Sequence, residues 1–300
     1  MQFVFWLANH SHAGQRSLED VIMIMGAQLQ ALGHRAVWKK DNQCFVTKEH
    51  GLNILVEGFT DASIAVVREY HAQGARFVIL ATEEQTERGF NHGLDPEMVM
   101  RQKRFPEAAK YAEAIWHLVP GKHVTDWYGQ FAPTAPVELG YAHALLRPRL
   151  TDCEPTYDFG FYGSLTRRRH QILKRLANRT GKHRAIRVVN DFATQAERDQ
   201  AMREARVIVQ IRKEEKMGLV SSSRCNTALM IGRPVIAEPH ELSHPWDEVV
   251  RFSQSLEKFY DEAMILRGPW RGIHRDQFDK FRDKLSPAAC VGPALAQIGI

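Results

Sequence analysis

Cations and hydroxyl side chains are concentrated in one loop of the sequence, between a predicted strand and a predicted helix. Apolar, mostly β-branched residues at 207–211 predict a buried parallel strand, and 222–231 predicts a helix that is capped by serines and ended by Gly232. A helix N-terminus favours an anion, because its free N–H groups and its dipole point there. The candidate phosphate ligands of this stretch are Arg212, Lys213, Lys216, Ser222 and Ser223. A loop closed by salt bridges to Glu214 and Glu215 is the alternative interpretation.

A second candidate anion loop follows another predicted strand, at 159–162. Gly163 and Ser164 come directly before a predicted helix, so the backbone could approach a ligand closely there. Arg167 begins a run of arginines, 167–169, that adds positive charge beside the loop. A capped helix with a solvated basic face is the alternative.

Candidate bases follow the predicted strands of the first half of the chain. His10 and His12 come after the first strand, and an imidazole titrates near neutral pH. Glu57 follows the third strand and is a base if burial raises its pKa, whereas its alternative role is to cap the helix that begins near Asp61. The two histidines could also be ligands of a metal ion, but the sequence has no third ligand at a useful spacing from them. No Asp-x-Asp occurs in the chain, so we expect no metal site and metal-independent chemistry.

Strands alternate with helices along the whole chain, which predicts parallel sheets covered on both faces. The fold class expected is α/β, with two Rossmann-like βαβ domains facing each other across a cleft. The first domain is 1–140, the linker is 141–157, within a proline-bearing region without periodicity, and the second domain is 158–300. The first helix is predicted to begin at about Ser17, with a Ser17–Asp20 capping box. Gly-x-Gly-x-x-Gly is absent, so a nicotinamide or flavin site is disfavoured and no cofactor is expected.

The segment TALMIGRPVIAEP resembles the helix, glycine and strand of group 1 and CgeB-like glycosyltransferases of the GT-B fold. VELGYAHALLRP and YDFGFYGSLTRRRHQIL extend the resemblance upstream, to the linker and the opening strand and loop of the nucleotide-binding half. Arg224 stands where the CgeB-like proteins carry an arginine, and the resemblance implies that it contacts the diphosphate or the sugar. Thr227 stands where the CgeB-like proteins and the group 1 enzymes usually carry a glutamate that holds the donor ribose. Glu238 is a further candidate for a ribose or sugar hydroxyl, or else a solvated loop residue.

The resemblance implies an enzyme that transfers a sugar from a nucleotide-diphosphate sugar donor to a glycan, lipid or small-molecule acceptor on the first domain. It also implies that the last helix crosses back to that domain. The departure at Thr227 leaves open a non-catalytic protein of the same fold that binds a nucleotide or glycan.

Net charge and cysteine use limit the other classes of function. The formal net charge is +5, which suits a phosphate-bearing partner without identifying it. The densest basic run, 167–187, raises the hypothesis of RNA binding, but the run lacks aromatic residues on which bases could stack. A solvated helix face that touches an anionic membrane or polymer is therefore preferred, and nucleic acid is not expected. Four scattered cysteines without a CxxC motif fit the reducing cytoplasm, with a peripheral position at the inner membrane face left open.

Overall fold

The protein forms two α/β units, and the C-terminal segment of the chain belongs to the first of them. The computed structural model describes residues 1–7, 12–39, 51–57, 59–93, 96–146, 154–181, 185–190, 192, 194–215, 221–240 and 243–300. One unit comprises Met1–Ala144 together with Ser286–Ile300, and the other comprises Leu145–Leu285. Both contain a parallel sheet with helical connections, so the predicted α/β class with two Rossmann-like domains is confirmed.

In the first unit, the described residues form a parallel sheet with the strand order β2-β1-β3-β4-β5-β6. The strands are β1 (Gln2–Trp6), β2 (Arg35–Lys39), β3 (Leu52–Val56), β4 (Phe77–Ala81), β5 (Ala114–His117) and β6 (Thr134–Pro136). The helices before the linker are α1 (His12–Ala31), α2 (Asp61–Ala72), α3 (Pro96–Ala109) and α4 (Lys122–Tyr128). Strands β3, β4 and β5 are buried along their whole length, as expected for strands with helices on both faces.

The start of α1 differs from the prediction. The helix begins at His12, one turn before Ser17, so Ser17 lies inside the helix and the predicted Ser17–Asp20 capping box does not start it. Ala13, Gln15 and Arg16 have good helix propensity, which allows the extra turn.

Regular structure also extends into the proline-bearing region that precedes the linker. Helix α4 and strand β6 lie there, and β6 pairs with β5 at the edge of the first sheet. Pro136 lies at the last position of this edge strand, where a missing N–H is tolerated. The sequence prediction missed both elements because neither is long enough to show a period.

The second unit repeats the alternation with a sheet in the order β11-β10-β9-β7-β8 among the described residues. Its strands are β7 (Tyr157–Tyr162), β8 (Ile186–Val189), β9 (Ala205–Gln210), β10 (Val235–Ala237) and β11 (Arg251–Phe252). Its helices are α5 (Arg167–Thr180), α6 (Gln195–Arg203), α7 (Ser222–Met230), α8 (Leu256–Leu266) and α9 (Trp270–Lys284). Apolar side chains of β7, β9, α5 and α8 form one buried core cluster on one side of this sheet.

The last helix, α10 (Pro287–Gln297), belongs to the first unit. It packs against α1 and β6, and the backbone N–H of Glu138 donates to the carbonyl oxygen of Cys290 at 3.2 Å. Val291 and Ala294 of this helix are fully buried. The chain therefore returns to its first unit after Leu285.

Candidate functional site

The strand order of the second unit creates a point where the chain reverses its direction across the sheet. From β7 the chain goes to β8 on one side and then to β9 on the other. The crevice outside the carboxyl ends of two such strands is where ligands bind in open α/β sheets. Gly163 is the first residue after β7 and Arg212 is the second after β9, so the two predicted anion loops meet at this edge.

Gly163 lies against the guanidinium group of Arg224. Its φ is +128°, and a Cβ atom at this position would be 2.9 Å from both Cζ and Nη2 of Arg224. The Arg224 guanidinium also lies over the ring of Tyr162, with Cζ 5.8 Å from the ring centroid. Only glycine combines this backbone conformation with such a close approach. The first turn of α7 and the loop after β7 are thereby joined.

Glu238 lies after β10, completely buried, and organises two arginines around itself. Its carboxylate accepts hydrogen bonds from Nη1 of Arg168 at 2.9 Å, from Nη2 of Arg168, and from the backbone N–H of Arg212. The Arg212 Nε atom lies 3.5 Å from the same carboxylate. Fork-to-fork pairing of this kind fixes both the position and the plane of the Arg168 guanidinium. Contact between Glu238 and a ribose or sugar hydroxyl stays a prediction.

Arg169 is buried beside this pair and bonds to neutral oxygen atoms. Its Nε donates to the carbonyl of Ile211 at 3.0 Å, and its Nη1 donates to the carbonyl of Ser164 at 2.9 Å. Burial, followed by the positive charge of Arg224, lowers the pKa of Arg169 to about 9. The group is still a cation at neutral pH, and an anion close by would stabilise its charged form.

Positive charge exceeds negative charge at this edge. Arg168 and Arg212 contact the buried carboxylate of Glu238, Arg169 bonds to backbone oxygens beside them, and Arg224 lies against Gly163. The carboxylates of Glu214 and Glu215 act on Arg168 as well, and the Arg212 guanidinium donates to the carbonyl oxygen of Glu215, so four arginines face three carboxylates. A buried carboxylate that fixes arginines without balancing them leaves a preorganised cationic surface, which suits a phosphate or diphosphate.

The other predicted donor ligands lie around this cluster at different degrees of exposure. Arg167, Lys213 and Ser164 are exposed, while Ser222 and Ser223 are half-buried in the first turn of α7. The carbonyl oxygen of Lys213 accepts from Thr166 Oγ1 at 3.1 Å, which links the two loops. Lys216 lies outside the described residues.

Thr227 uses its hydroxyl within its own helix. Its Oγ1 donates to the carbonyl oxygen of Ser223 at 3.0 Å, and its side chain is buried. The position therefore offers no carboxylate to a ribose, and a donor bound here would need other hydrogen-bond partners for its ribose hydroxyls.

Arg168 and Arg169 were predicted only as part of the basic run beside the loop and not as individual ligands, although α5 carries a further signal for one of them. Ile172, Leu173 and Leu176 are buried, and they lie three, four and seven residues after Arg169. This spacing puts Arg169 on the buried face of the helix.

Further along α5 the basic run is engaged within the unit. Arg175 and Arg179 both pair with Glu257 of α8, and their guanidinium groups lie 5.0 and 4.8 Å from the ring centroid of Tyr260. Arg179 also lies 2.5 Å from Asp261. These contacts tie two arginines of the basic run to α8, and the RNA hypothesis stays a prediction.

The first unit has its own reversal point, between β1 and β3, and Glu57 lies there. Glu57 is buried and accepts a hydrogen bond from the backbone N–H of Thr82. Burial, followed by the charge of Glu83, raises the pKa of Glu57 well above its ordinary value. Burial also raises the pKa of Glu83, against the opposing effect of Arg101, whose Nη1 lies 3.0 Å from Glu83 Oε1. The raised pKa meets the condition under which Glu57 was predicted as a base, and the role itself stays a prediction.

The two histidine candidates are placed only in part. His10 lies outside the described residues, and His12 is the first residue of α1, with its side chain outside the description. Glu83 is a further buried carboxyl group at a strand end. Its sequence signal is its place two residues beyond the carboxyl end of the apolar strand β4, where possible bases of the first half of the chain are expected.

Metal-ligand and membrane-spanning features were searched within the described residues. No group of three or more His, Cys, Asp or Glu side chains there is arranged to hold a metal ion. None of the helices in that part of the chain is both long and apolar enough to cross a bilayer.

Solved structures with a fold similar to that of this chain include two glucosyltransferases and a trehalose-phosphate synthase. A DNA modifying enzyme, beta-glucosyltransferase, solved with and without its substrate uridine diphosphoglucose, matches with a TM-score of 0.57 and 9% identity, covering 100% of both chains. T4 phage beta-glucosyltransferase matches with a TM-score of 0.54 and 8% identity, again over 100% of both chains. A UDP-forming alpha,alpha-trehalose-phosphate synthase from Burkholderia xenovorans matches with a TM-score of 0.51 and 11% identity, covering 96% of this chain and 79% of that one.

These similarities show that the chain has the GT-B fold, and at such low identity they show the fold alone. No protein-family model and no curated protein matches the sequence. Membership in the group 1 or CgeB-like family therefore stays a prediction.

Proposed function

We propose that this protein is a glycosyltransferase that binds a nucleotide-diphosphate sugar at the carboxyl edge of its second sheet and transfers the sugar to a hydroxyl-bearing acceptor. The observation that carries the proposal is the arginine cluster at the reversal point of that sheet. Arg224 closes over Gly163, and Glu238 holds Arg168 in a fixed plane beside Arg212. The similarity to glycosyltransferases of the GT-B fold supports the reaction class.

The chemistry asked of this site is stabilisation of a leaving diphosphate. As the bond to the anomeric carbon breaks, negative charge accumulates on the diphosphate, and fixed cations lower the energy of that state more than mobile ones. Arg168, Arg212 and Arg224 meet this need because two of them are anchored through Glu238 and the third through its contact with Gly163. Arginines in this role substitute for a divalent cation, and we propose that transfer is metal-independent.

On the first unit, His10, His12 and Glu57 are the proposed bases for the acceptor hydroxyl. Glu57 and the start of α1 follow β3 and β1, the adjacent strands of the reversal point. A glycan, a lipid or a small molecule is the proposed acceptor. A peripheral position at the inner face of a cytoplasmic membrane is part of the same proposal, since the protein carries a net positive charge.

Calorimetric titration with UDP, GDP, ADP and their sugar conjugates tests the donor site. We expect one nucleoside diphosphate to bind, and Arg224→Ala to weaken its affinity by about 10- to 100-fold, the range for a lost charge-assisted contact. Arg175→Ala is the matched control, since it removes an arginine of the same unit that pairs with Glu257 instead. Equal affinity of the unaltered protein and Arg224→Ala would remove the cluster from the site. No binding of any nucleotide would overturn the proposal as a whole.

A non-catalytic binding protein of the same fold is the second candidate, and Thr227 favours it. The hydroxyl of Thr227 is engaged with Ser223, where the resembling enzymes hold the ribose with a glutamate. This candidate predicts nucleotide binding without release of free sugar or transfer to any acceptor. A turnover assay with the donor that binds decides between the two, because measurable donor hydrolysis excludes the binding-only protein.

A further inference from the structure

The loop after β4 contains a strained backbone at residues that are not glycine. Asn91 has φ 50° and ψ 44°, and His92 has φ 63° and ψ 20°, so two consecutive side chains lie in the left-handed region. Asparagine and histidine enter this region more often than other residues with a side chain, yet both do so uncommonly. Such residues persist only where the surroundings determine the backbone. Strain of this kind is concentrated at functional sites.

Two hydrogen bonds between Asn91 and Glu84 hold the strained loop close to the end of β4. The backbone N–H of Asn91 donates to the carbonyl oxygen of Glu84 at 2.7 Å, and the backbone N–H of Glu84 donates to Asn91 Oδ1 at 3.0 Å. This reciprocal pair fixes residue 91 relative to residue 84. The next side chain, His92, is thereby directed towards the Glu84 carboxylate.

The Glu84 carboxylate lies between two imidazole rings. Its Oε2 is 3.8 Å from His92 Nε2, and its Oε1 is 4.0 Å from His123 Nε2, at the start of α4. His92 Nε2 is buried and has no hydrogen-bond partner among the described residues, although 27% of the His92 side chain is exposed. The exposed part of the side chain therefore lies outside Nε2. One ring nitrogen lies 3.8 Å from a carboxylate and part of the side chain is exposed, the looser arrangement of a base and its orienting partner before a substrate is bound.

We propose that His92 is the general base of the reaction and that Glu84 is its positioning residue, an inference that rests on the proposed glycosyl transfer. The imidazole carries its proton on Nε2, towards Glu84, and accepts the acceptor's hydroxyl proton on Nδ1. The hydroxyl oxygen forms its bond to the anomeric carbon while the bond from that carbon to the diphosphate breaks. The electron pair leaves with the diphosphate, and Glu84 stabilises the imidazolium that results.

This assignment places the base beyond β4, as an alternative to the three bases proposed above, His10, His12 and Glu57. It also explains why the loop pays for left-handed backbone at a histidine. A glycine would form the same turn without the strain, so a histidine at this position favours a role for its side chain. His123 is the other imidazole on Glu84, but it is half-exposed and belongs to an unstrained helical turn.

Chemical rescue of His92→Gly tests the proposal. Glycine adopts the left-handed backbone without strain, so the variant folds while leaving space for free imidazole. We expect donor turnover, measured with water or an added alcohol as acceptor, to fall by at least about 100-fold, the lower range for loss of a general base. Millimolar imidazole should restore part of it. Glu84→Gln should lower turnover by at least about 10-fold, and affinity for the nucleoside diphosphate should change by less than about 2-fold in both variants.

Control variants separate the outcomes. His143→Gly, an exposed histidine of the same unit, should keep full turnover and show no response to imidazole. Full turnover by His92→Gly overturns the proposal. If only His123→Gly loses turnover and regains it with imidazole, His123 is the base, and the proposal for His92 is equally overturned. Failure of the unaltered protein to turn over any donor that binds overturns the proposed transferase as well. Loss of nucleotide affinity in His92→Gly would show that the variant has a structural defect, and this result would count against the role of His92 as a general base.

Discussion

Replacing Glu238 by glutamine removes the charge that holds the arginine cluster while nearly preserving the shape of the side chain. The carboxylate is completely buried, and it accepts from both terminal nitrogens of Arg168 and from the backbone N–H of Arg212. Removing one partner of a buried ion pair costs about 3–5 kcal/mol. The Arg168 side chain is 20% exposed, so water recovers part of this loss. We therefore expect Glu238→Gln to lower the free energy of unfolding by about 3 kcal/mol, the lower end of that range.

Urea denaturation followed by tryptophan fluorescence measures this change. Glu257→Gln is the matched control, because Glu257 also pairs with two arginines, Arg175 and Arg179, but is more than half exposed. An exposed pair contributes about 0.2–1 kcal/mol, so the control should lose no more than that. A double-mutant cycle with Arg168→Met should show that most of the Glu238 effect disappears when the arginine is absent. Equal losses for Glu238→Gln and Glu257→Gln, or no coupling to Arg168, would refute the anchoring role.

Three further predictions concern single residues. Glu57→Gln should be more stable than the unaltered protein by a margin that grows as pH rises. A carboxyl group with a raised folded-state pKa contributes stability at acid pH, and that contribution is lost as the group ionises. Thermal melts of both proteins from pH 4 to pH 9 measure the margin, and a margin that does not change with pH would contradict the prediction. Gly163→Ala should weaken nucleotide binding and lower the free energy of unfolding by about 1–3 kcal/mol. Gly181 also has a positive φ, but a Cβ atom there would have open space around it. Gly181→Ala should therefore lose stability and keep its affinity for the nucleotide. The Cys290 thiol, whose pKa is raised by burial, should resist iodoacetamide in the folded protein and react after unfolding, as peptide mapping can show; rapid alkylation without unfolding would contradict it.

The pattern of apolar residues made the α/β fold predictable from the sequence. The run around 207–211 predicted strand β9, and Gly232 predicted the end of α7, because a buried parallel strand and a helix C-cap each have a local signature. Strand β6 and helix α4 were missed, since three and seven residues are too few to establish a period.

The candidate donor site was predictable as a pair of loops but not as a network. The loop glycine and the arginines were visible, yet the sequence could not show that Glu238, 70 residues from Arg168, is the buried carboxylate that holds it. Long-range pairing depends on which strands are neighbours, and strand β9, which pairs with both β7 and β10, brings these segments together. The same holds for Glu84 and His92, whose relation is set by a left-handed turn that no propensity predicts.

A crystal structure of the protein soaked with the nucleoside diphosphate that binds most tightly is the most direct test of the central claim. The account predicts the diphosphate at the carboxyl edge of the second sheet, with its oxygens in contact with the Arg224 guanidinium and the backbone N–H groups after Gly163. A diphosphate bound elsewhere on the protein, with Arg168, Arg212 and Arg224 making no contact to it, would contradict the account.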